Sequence, residues 1–358
     1  MFKTMPSFVQ RKLGNTHSFN TMSFNTQWQY NIPFESYIYD HIWTQIIQIL
    51  CTLVPLLLAV AFLTYAERKI MASMQRRIGP SVWGLFGVLQ AFIDGLKLFV
   101  KEPSVPSTAD QPLYIWAPML TFIVSQIAWA AIPFGETNVI SDLTYGAFYL
   151  LAVSSVGVYG ILLAGWASNS KYAFLGCCRS VAQMISYELP MGMIILTVSI
   201  CAGSLNIAHI VSSQYGVWFA LALWPQLFIW FICTLAETNR SPFDLPEAEA
   251  ELVAGYNVEY GAMGFALFFI AEYANMIFMS TQSALFFFGG DSSPITLLPN
   301  GCFWLWFKTF IFLFLFVWVR ATLPRYRFDM LMRLGWKVFL PYTIAGFLTC
   351  AACLYAIY

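Results

Sequence analysis

Residues 43–65 read WTQIIQILCTLVPLLLAVAFLTY and contain no Asp, Glu, Lys or Arg. A helix needs about 20 consecutive apolar residues to cross the hydrocarbon core of a bilayer. Inside that core every backbone polar group must be satisfied without water, and a helix does this within its own segment. The stretch therefore predicts a transmembrane helix and places the chain among membrane proteins.

The composition of the whole chain indicates the same class. Of its 358 residues 59% are hydrophobic and only 10% are charged, whereas a soluble domain is about one quarter charged. Aromatic residues make up 18%, which suits belts at the two membrane interfaces. The formal net charge is zero, so the overall charge indicates no nucleic-acid partner.

Eight apolar runs are long enough to span a bilayer as helices. The predicted fold is an all-α, polytopic membrane bundle of eight transmembrane helices with structured loops. Residues 1–42 are interpreted as an N-terminal extension and residues 43–358 as the transmembrane domain. The predicted spans are about 43–65, 114–134, 145–166, 183–203, 217–236, 260–286, 303–320 and 337–357.

Positive charge is distributed unequally between the loops. The loops after the odd spans and their borders hold fourteen Lys and Arg, and the loops after spans two, four and six hold none. Since loops rich in Lys and Arg stay on the cytoplasmic or matrix side, the odd loops are predicted to share that side, with both termini opposite. The fourteen are Arg68, Lys69, Arg76, Arg77, Lys97, Lys101, Lys171, Arg179, Arg240, Arg320, Arg325, Arg327, Arg333 and Lys337.

The N-terminal extension is basic and polar. It contains Lys3, Arg11 and Lys12, many Ser, Thr and Asn, and no acid before residue 35. That composition is typical of a mitochondrial transit peptide. A retained segment that packs on something outside the membrane and an arm without function are equally compatible with it.

The eight cysteines predict neither a disulfide framework nor a metal site. Five of them lie within apolar runs, where cysteine behaves as a small hydrophobe. Cys350 and Cys353 have the spacing of a redox motif, but their apolar surroundings favour simple packing. No Gly-rich phosphate loop is present either, so the chain is predicted to hold no metal and no bound cofactor.

The first odd loop contains a predicted helix over residues 84–102. Gln90, Asp94, Lys97 and Lys101 lie on one stripe of it, and Leu and Phe fill most of the rest. This spacing favours a helix at the membrane edge whose polar stripe faces water or a cavity. The pattern alone favours a plain interfacial anchor.

The loop after the fifth span concentrates acids. Asp244 and Glu247 suit the N-cap and first turn of a helix, but capping does not explain the other carboxylates. Carboxylates this close cannot all ionise cheaply, and groups with shifted pKa values are candidates for proton transfer. The charged residues of this loop are Glu237, Arg240, Asp244, Glu247, Glu249, Glu251 and Glu259.

Two acids lie within predicted spans. Glu188 belongs to the fourth span and Glu272 to the sixth. A charged side chain at the centre of a membrane helix costs about 2.5–3.5 kcal/mol even on the lower scales. Such residues usually face the bundle interior and mark ion or proton pathways, although a neutral structural Glu is also possible. The residues alone predict acids that lead from a structured loop face into the bilayer.

A series of motifs, in order along residues 43–345, resembles the NADH dehydrogenase subunit 1 family. The run at 236–245 is highly specific by itself. The motifs are ERK at 67–69, QRRIGP at 75–80, DGLKLFVKEP at 94–103, GWASNSKY at 165–172, RSVAQ at 179–183, SYE at 186–188, LAETNRSPFDL at 235–245, EAEAELV at 247–253, NVEY at 257–260, AEY at 271–273 and PRYRFD at 324–329.

The resemblance implies an eight-helix subunit of respiratory complex I, the proton-pumping NADH:ubiquinone oxidoreductase, in the mitochondrial inner membrane with the termini in the intermembrane space. It implies no complete active site in this chain alone, ubiquinone as substrate, and hydrophilic quinone-module subunits, antiporter-side membrane subunits and lipids as partners. The quinone cavity would be bordered by Arg68, Asp94, Arg240, Asp244, Glu247, Glu249 and Glu251. The proton relay would comprise Glu67, Glu188, Glu237, Glu259 and Glu272.

The chain departs from the family pattern in two places. Ser81 stands where the family usually has Asn after Gly79 and Pro80, and the N-terminal extension has no counterpart. Three other functions compete with the quinone subunit: a proton-translocating subunit of a membrane-bound hydrogenase, a proton-coupled secondary transporter, and a pure scaffold. The many buried or crowded acids argue against a scaffold. Transporters often contain internal repeats, and none is visible in this sequence.

Overall fold

The computed structural model describes residues 34–135, 139–244, 255–294 and 298–357. The described residues form helices and connecting turns, with no strand among them, in agreement with the predicted all-α fold. The α-helices are α1 (Phe34–Met74), α2 (Gln90–Val100), α3 (Gln111–Ile127), α4 (Gly146–Ala167), α5 (Lys171–Ala202), α6 (Ile207–Ser212), α7 (Phe219–Ala222), α8 (Trp224–Glu237), α9 (Ala262–Phe288), α10 (Cys302–Thr322), α11 (Phe328–Arg333) and α12 (Leu340–Ile357).

Seven helical segments of the described residues are long and apolar enough to cross a membrane. The predicted multi-span fold is therefore confirmed, and seven of the eight predicted spans correspond to these segments. The last of them runs through α11, a π-helical turn at Leu334–Phe339, and α12. The predicted bounds were too narrow at several ends: α1 continues to Met74, and α5 already begins at Lys171.

The fifth predicted span differs from the prediction. It is divided into α7 and α8, and α8 has 14 residues, which corresponds to about 21 Å of helix. Pro225 lies in the first turn of α8, where the missing N–H of proline is tolerated, whereas the interior of one continuous helix would lose a hydrogen bond there. Pro55, Pro118 and Pro190, in contrast, lie inside helices.

Two units are distinguished along the chain, Met1–Ile47 and Gln48–Tyr358. In the first unit the described residues are the opening turns of α1. The predicted boundary between extension and membrane domain at residue 42 stays a prediction, because residues 1–33 lie outside the described part.

The bundle in the second unit is organised around α5 and α9. Helix α5 packs against α4, α8 and α12, and α9 packs against α3 and α10. Helix α5 begins at Ser170, whose side chain accepts a hydrogen bond from the Ala173 N–H, and it ends at Gly203 in the left-handed conformation (φ 70°). These caps form hydrogen bonds with terminal backbone groups that have no partner inside the helix.

Aromatic packing fixes α8 against α9. Trp230 is fully buried, and its Nε1 donates a hydrogen bond of 2.9 Å to Ser283 Oγ. The ring of Phe286 meets Trp230 edge to face at 5.6 Å between centroids, a favoured aromatic geometry. Because Glu237 is the last residue of α8, this packing fixes the depth of that acid.

The helix predicted in the first loop is present as α2, which is shorter than the predicted range. None of its residues is buried, and Leu96, Phe99 and Val100 are more than 60% exposed. Apolar side chains on an exposed helix at the end of a membrane span suit a position at the membrane edge. The structure thus places α2 as an amphipathic element outside the bundle core.

The orientation of the loops can be tested by labelling. Ser104 lies after α2 and Ser212 ends α6, and both are exposed. The charge bias predicts that Ser104→Cys reacts with a membrane-impermeant maleimide from the side of the positive loops and that Ser212→Cys reacts only from the other side. Mass spectrometry of the individual peptides separates both sites from the native cysteines. Labelling of both variants from the same side would contradict the predicted topology.

Candidate functional site: a buried ion cluster and an acid-lined cavity

A buried group of charges joins α1, α9, α10 and the turn after α8. We call it the ion cluster: Glu67, Arg240, Glu272, Tyr273 and Arg320. Glu67, which is 3% exposed, accepts hydrogen bonds from Tyr273 Oη at 2.6 Å, from Arg240 Nη1 at 3.3 Å, and from Arg320 Nη1. One carboxylate of α1 is therefore held by three elements far from it in sequence.

Arg240 connects the two acids of the ion cluster. Its Nε lies 2.9 Å from Glu272 Oε1, while its Nη1 contacts Glu67. The guanidinium lies 4.3 Å from the centre of the Tyr273 ring, within cation–π distance. Burial by itself would lower the pKa of Arg240, but the carboxylates of Glu272 and Glu67 outweigh it and raise this pKa well above its ordinary value. Arg240 is permanently charged, and with two acids and two arginines the ion cluster is neutral.

The turn that carries Arg240 is fixed by α5. Asn239 has a positive φ of 49°, and the Arg240 N–H donates back to Leu235 O at 3.2 Å. The buried Gln183 amide donates to Ala236 O at 2.8 Å and to Phe243 O at 2.9 Å. Because both bonds end in backbone carbonyls on either side of Arg240, the turn is held independently of the ion cluster.

An acid-lined cavity of about 80 Å³ adjoins the ion cluster. Glu272 lines it from α9 and Glu237 from the end of α8. Glu237 is 1% exposed, and its Oε2 has no hydrogen-bond partner within the described part of the chain. A polar cavity of this size has room for several waters. Its remaining polar lining is Thr121, Ser125, Ser154, Thr238, Asn239 and Asn275.

Glu188 lies beside this cavity, on α5. It is half-buried and accepts a hydrogen bond from Ser155 of α4, the helix whose Ser154 and Gly157 line the cavity. Glu237 and Glu272 therefore line the cavity, and Glu188 binds the helix next to it.

At the membrane edge, Arg68 pairs with Asp94 of α2. Arg68 Nη1 lies 2.6 Å from Asp94 Oδ2, Gln90 donates to the other carboxylate oxygen at 2.9 Å, and Lys97 lies 3.7 Å from it. Partial burial alone would raise the pKa of Asp94, but these bonds and the charges of Arg68 and Lys97 hold it below its usual value. The pair is therefore fully charged at neutral pH and is lost only as the pH falls through the lowered pKa.

Asp244 occupies a separate buried position. It is 5% exposed and pairs with Arg325 Nη2 at 3.1 Å, while its neighbour Phe243 stacks on Tyr326. These contacts attach the turn after α8 to the segment before α11. The helix predicted to start after Asp244, with Glu247, Glu249 and Glu251, would lie in residues 245–254, which are outside the described residues.

Glu259, by contrast, is not joined to the acids around the cavity by any contact among the described residues. Its backbone carbonyl accepts a hydrogen bond from Tyr114 Oη at 2.6 Å, and its side chain is half-buried. Its assignment to the relay stays a prediction.

Sequence reasoning missed the partners of the predicted acids. In the sequence Arg320 is only a loop charge and Tyr273 only part of a motif, although both bind Glu67 in the structure. The sequence does not indicate Ser155 and Arg325 as partners either. One signal was available: Arg320 ends a long apolar run, and a cation at that position needs an interfacial or buried acid partner.

A polytopic helix bundle with paired charges and acids around an internal cavity defines an integral membrane protein with a charged interior. Comparison with known proteins identifies the family. The NADH dehydrogenase family profile matches residues 47–351, most of the chain, so the chain belongs to this family, as the motifs predicted.

Individual relatives agree with the family assignment. NADH-ubiquinone oxidoreductase chain 1 of Arabidopsis thaliana is 59% identical over 303 residues, covering 83% of this chain and 93% of the relative. The protein of the same name from Chondrus crispus is 55% identical over 304 residues, with 84% and 93% covered. An NADH-quinone oxidoreductase subunit of Rhodospirillum centenum is 56% identical over 302 residues, with 83% and 90% covered. These relatives are subunits of an enzyme complex, and none of the names is that of a hydrogenase or a transporter.

Proposed function

We propose that this chain is the membrane subunit that borders the quinone cavity of NADH:quinone oxidoreductase and begins the acid relay into the membrane arm. The observation that carries the proposal is the position of Arg240, which contacts Glu67 on one side and the cavity acid Glu272 on the other. One guanidinium thus links the loop side of the bundle to its polar interior.

The charged side chains form a series that runs from the membrane edge inwards. Arg68, paired with Asp94 at the edge, directly follows Glu67 of the ion cluster in α1. From there Arg240 leads to Glu272, and the cavity leads to Glu237. Glu188 follows in the proposed relay, because it accepts a hydrogen bond from Ser155 of α4, a helix that lines the cavity. Intramembrane acids that face a hydrated space are the usual components of proton relays.

Reduction of a quinone needs a series of groups of this kind. Reduction of a quinone to its quinol consumes two electrons and two protons, so negative charge arises near the head group before the protons arrive. A neutral cluster of paired charges responds to a nearby negative charge by rearranging its ion pairs. Glu237, which lines the cavity without a cationic partner among the described residues, is the group we propose to carry a proton onwards.

The names of the relatives support the substrate, the partners and the membrane that we propose. Two of them are ubiquinone oxidoreductase subunits from a plant and a red alga, which supports ubiquinone as substrate and the mitochondrial inner membrane as location. We further propose that the positive loops face the matrix and the hydrophilic subunits, with the termini in the intermembrane space. That the chain itself holds no bound cofactor stays a prediction.

The quinone part of the proposal is tested with Asp94→Asn. This change removes the charge that holds Arg68 while keeping the size of the side chain, so quinone reduction should fall and the response to quinone-site inhibitors should change. Electron transfer from NADH to a water-soluble artificial acceptor should continue at its normal rate, because it bypasses the quinone cavity. Both rates are measured in membranes at matched levels of assembled complex.

Asp329→Asn is the matched control. Asp329 also pairs with an arginine, Arg327 Nε at 3.4 Å, but both side chains are more than 60% exposed. Its substitution should leave both rates unchanged, since exposed ion pairs contribute little. Equal loss of quinone and artificial-acceptor activity in Asp94→Asn would place the defect in the hydrophilic arm and reject the proposed role.

A further inference from the structure

Two cysteines from helices distant in sequence meet at one end of the bundle. Cys201 is the penultimate residue of α5, and Cys350 lies in the second half of α12. Their Sγ atoms are 3.1 Å apart. Both residues are half-buried free thiols, so the pair is not sealed inside the bundle.

The geometry is close to that of a disulfide. The S–S bond is about 2.05 Å long, so the two sulfur atoms need to approach by only about 1 Å. Helices α5 and α12 pack against each other, so the two thiols lie on helices that are already in contact. The spacing of Cys350 and Cys353 is less suitable: residues three apart on a helix have Cβ atoms about 5–6 Å apart, and a disulfide needs about 3.5–4.5 Å.

We propose that Cys201 and Cys350 form a reversible disulfide with hydrogen peroxide as the oxidant. The thiolate of one cysteine attacks peroxide, the O–O bond breaks, and a sulfenic acid and water result. The second thiol then attacks the sulfenic sulfur, forms the S–S bond and releases a second water. Two thiols lose two electrons and two protons in total, and one peroxide is reduced to two waters. A small thiol such as glutathione reverses the bond by exchange.

The bond would tie together the two helices that hold the region around Glu188. At its other end, the α11–α12 segment binds α5 through Trp336 Nε1, which donates to Ser186 Oγ at 3.0 Å. Tyr187 Oη donates to Leu331 O at 3.0 Å. Both contacts lie next to Glu188, and the π-helical turn Leu334–Phe339 leads from this region into α12. Such π-helical turns are frequent at functional sites, and the disulfide would fix α12 to α5 at the far end of the helix.

The test uses the assembled complex in its native membrane and needs no substitution. Membranes are treated with hydrogen peroxide, free thiols are alkylated with N-ethylmaleimide under denaturing conditions, and the chain is digested and analysed by mass spectrometry without reduction. We expect a peptide pair joining Cys201 to Cys350, two hydrogens lighter than the sum of its parts, and the loss of two alkylated thiols per chain. Treatment with dithiothreitol before alkylation should remove the cross-link and restore both alkylated thiols.

Two cysteine variants test which thiols form the bond. Cys353→Ser should keep the cross-link, and Cys350→Ser should abolish it. The proposal is overturned if Cys350 links to Cys353 instead. It is also overturned if Cys201 and Cys350 both remain alkylated at a peroxide concentration that already oxidises the exposed Cys353 and Cys51. The result does not depend on the proposed quinone and relay functions, which concern other residues.

Discussion

Arg240→Met is expected to destabilise the assembled protein by about 3–5 kcal/mol, the cost of removing one partner from a buried ion pair. Methionine fills much of the same volume but leaves Glu67 and Glu272 without their shared cation. Glu67 is 3% exposed, so water cannot replace the lost charge. Because whole proteins are stable by only about 5–15 kcal/mol, the amount of mature complex should fall severely.

Native electrophoresis and thermal inactivation of membranes measure this effect. Arg327→Met is the control, since it removes an arginine from the exposed pair with Asp329 and should cost at most about 1 kcal/mol. Adding Glu67→Gln to Arg240→Met brings the ion cluster back to a net charge of zero, with Glu272 and Arg320 remaining, and should recover part of the loss. Equal stability of Arg240→Met and Arg327→Met would show that the ion cluster does not support the fold.

Glu237→Gln is expected to lower coupled quinone reduction by about 100-fold, the lower end of what a positioned proton-transfer group contributes. Glutamine keeps the shape and hydrogen-bonding capacity of the side chain but cannot bind and release a proton. Glu237 lines the cavity with one carboxylate oxygen unpartnered among the described residues, so the neutral amide loses no ion pair. Assembly should therefore remain close to normal, in contrast to Arg240→Met.

Turnover from NADH to quinone and proton translocation are measured together at matched levels of complex. Glu102→Gln, the same change at an exposed acid after α2, should leave both unchanged. Artificial-acceptor activity should persist in Glu237→Gln. Full coupled activity in this variant would remove Glu237 from the relay and leave it a neutral structural residue.

The long apolar runs of the sequence predict the membrane-spanning helices, because a bilayer leaves such a run few other structures. Any stretch like residues 43–65 must be helical there, so seven spans could be located without tertiary information. The exception is the fifth span, where Pro225 begins a new helix instead of lying inside one. Proline is compatible with either arrangement, and only the packing of Trp230 and its neighbours selects between them.

The sequence by itself determined the class, the family motifs and the acids that belong inside the bundle. Only the tertiary structure decided their partners: Glu67 binds Arg240 and Arg320, which are 173 and 253 residues away, and Cys201 meets Cys350 across 149 residues. Helical periodicity defines which face a residue lies on but not which helix that face meets. That choice follows from how all the helices pack together, since a buried charge is stable only where packing brings an opposite charge to it.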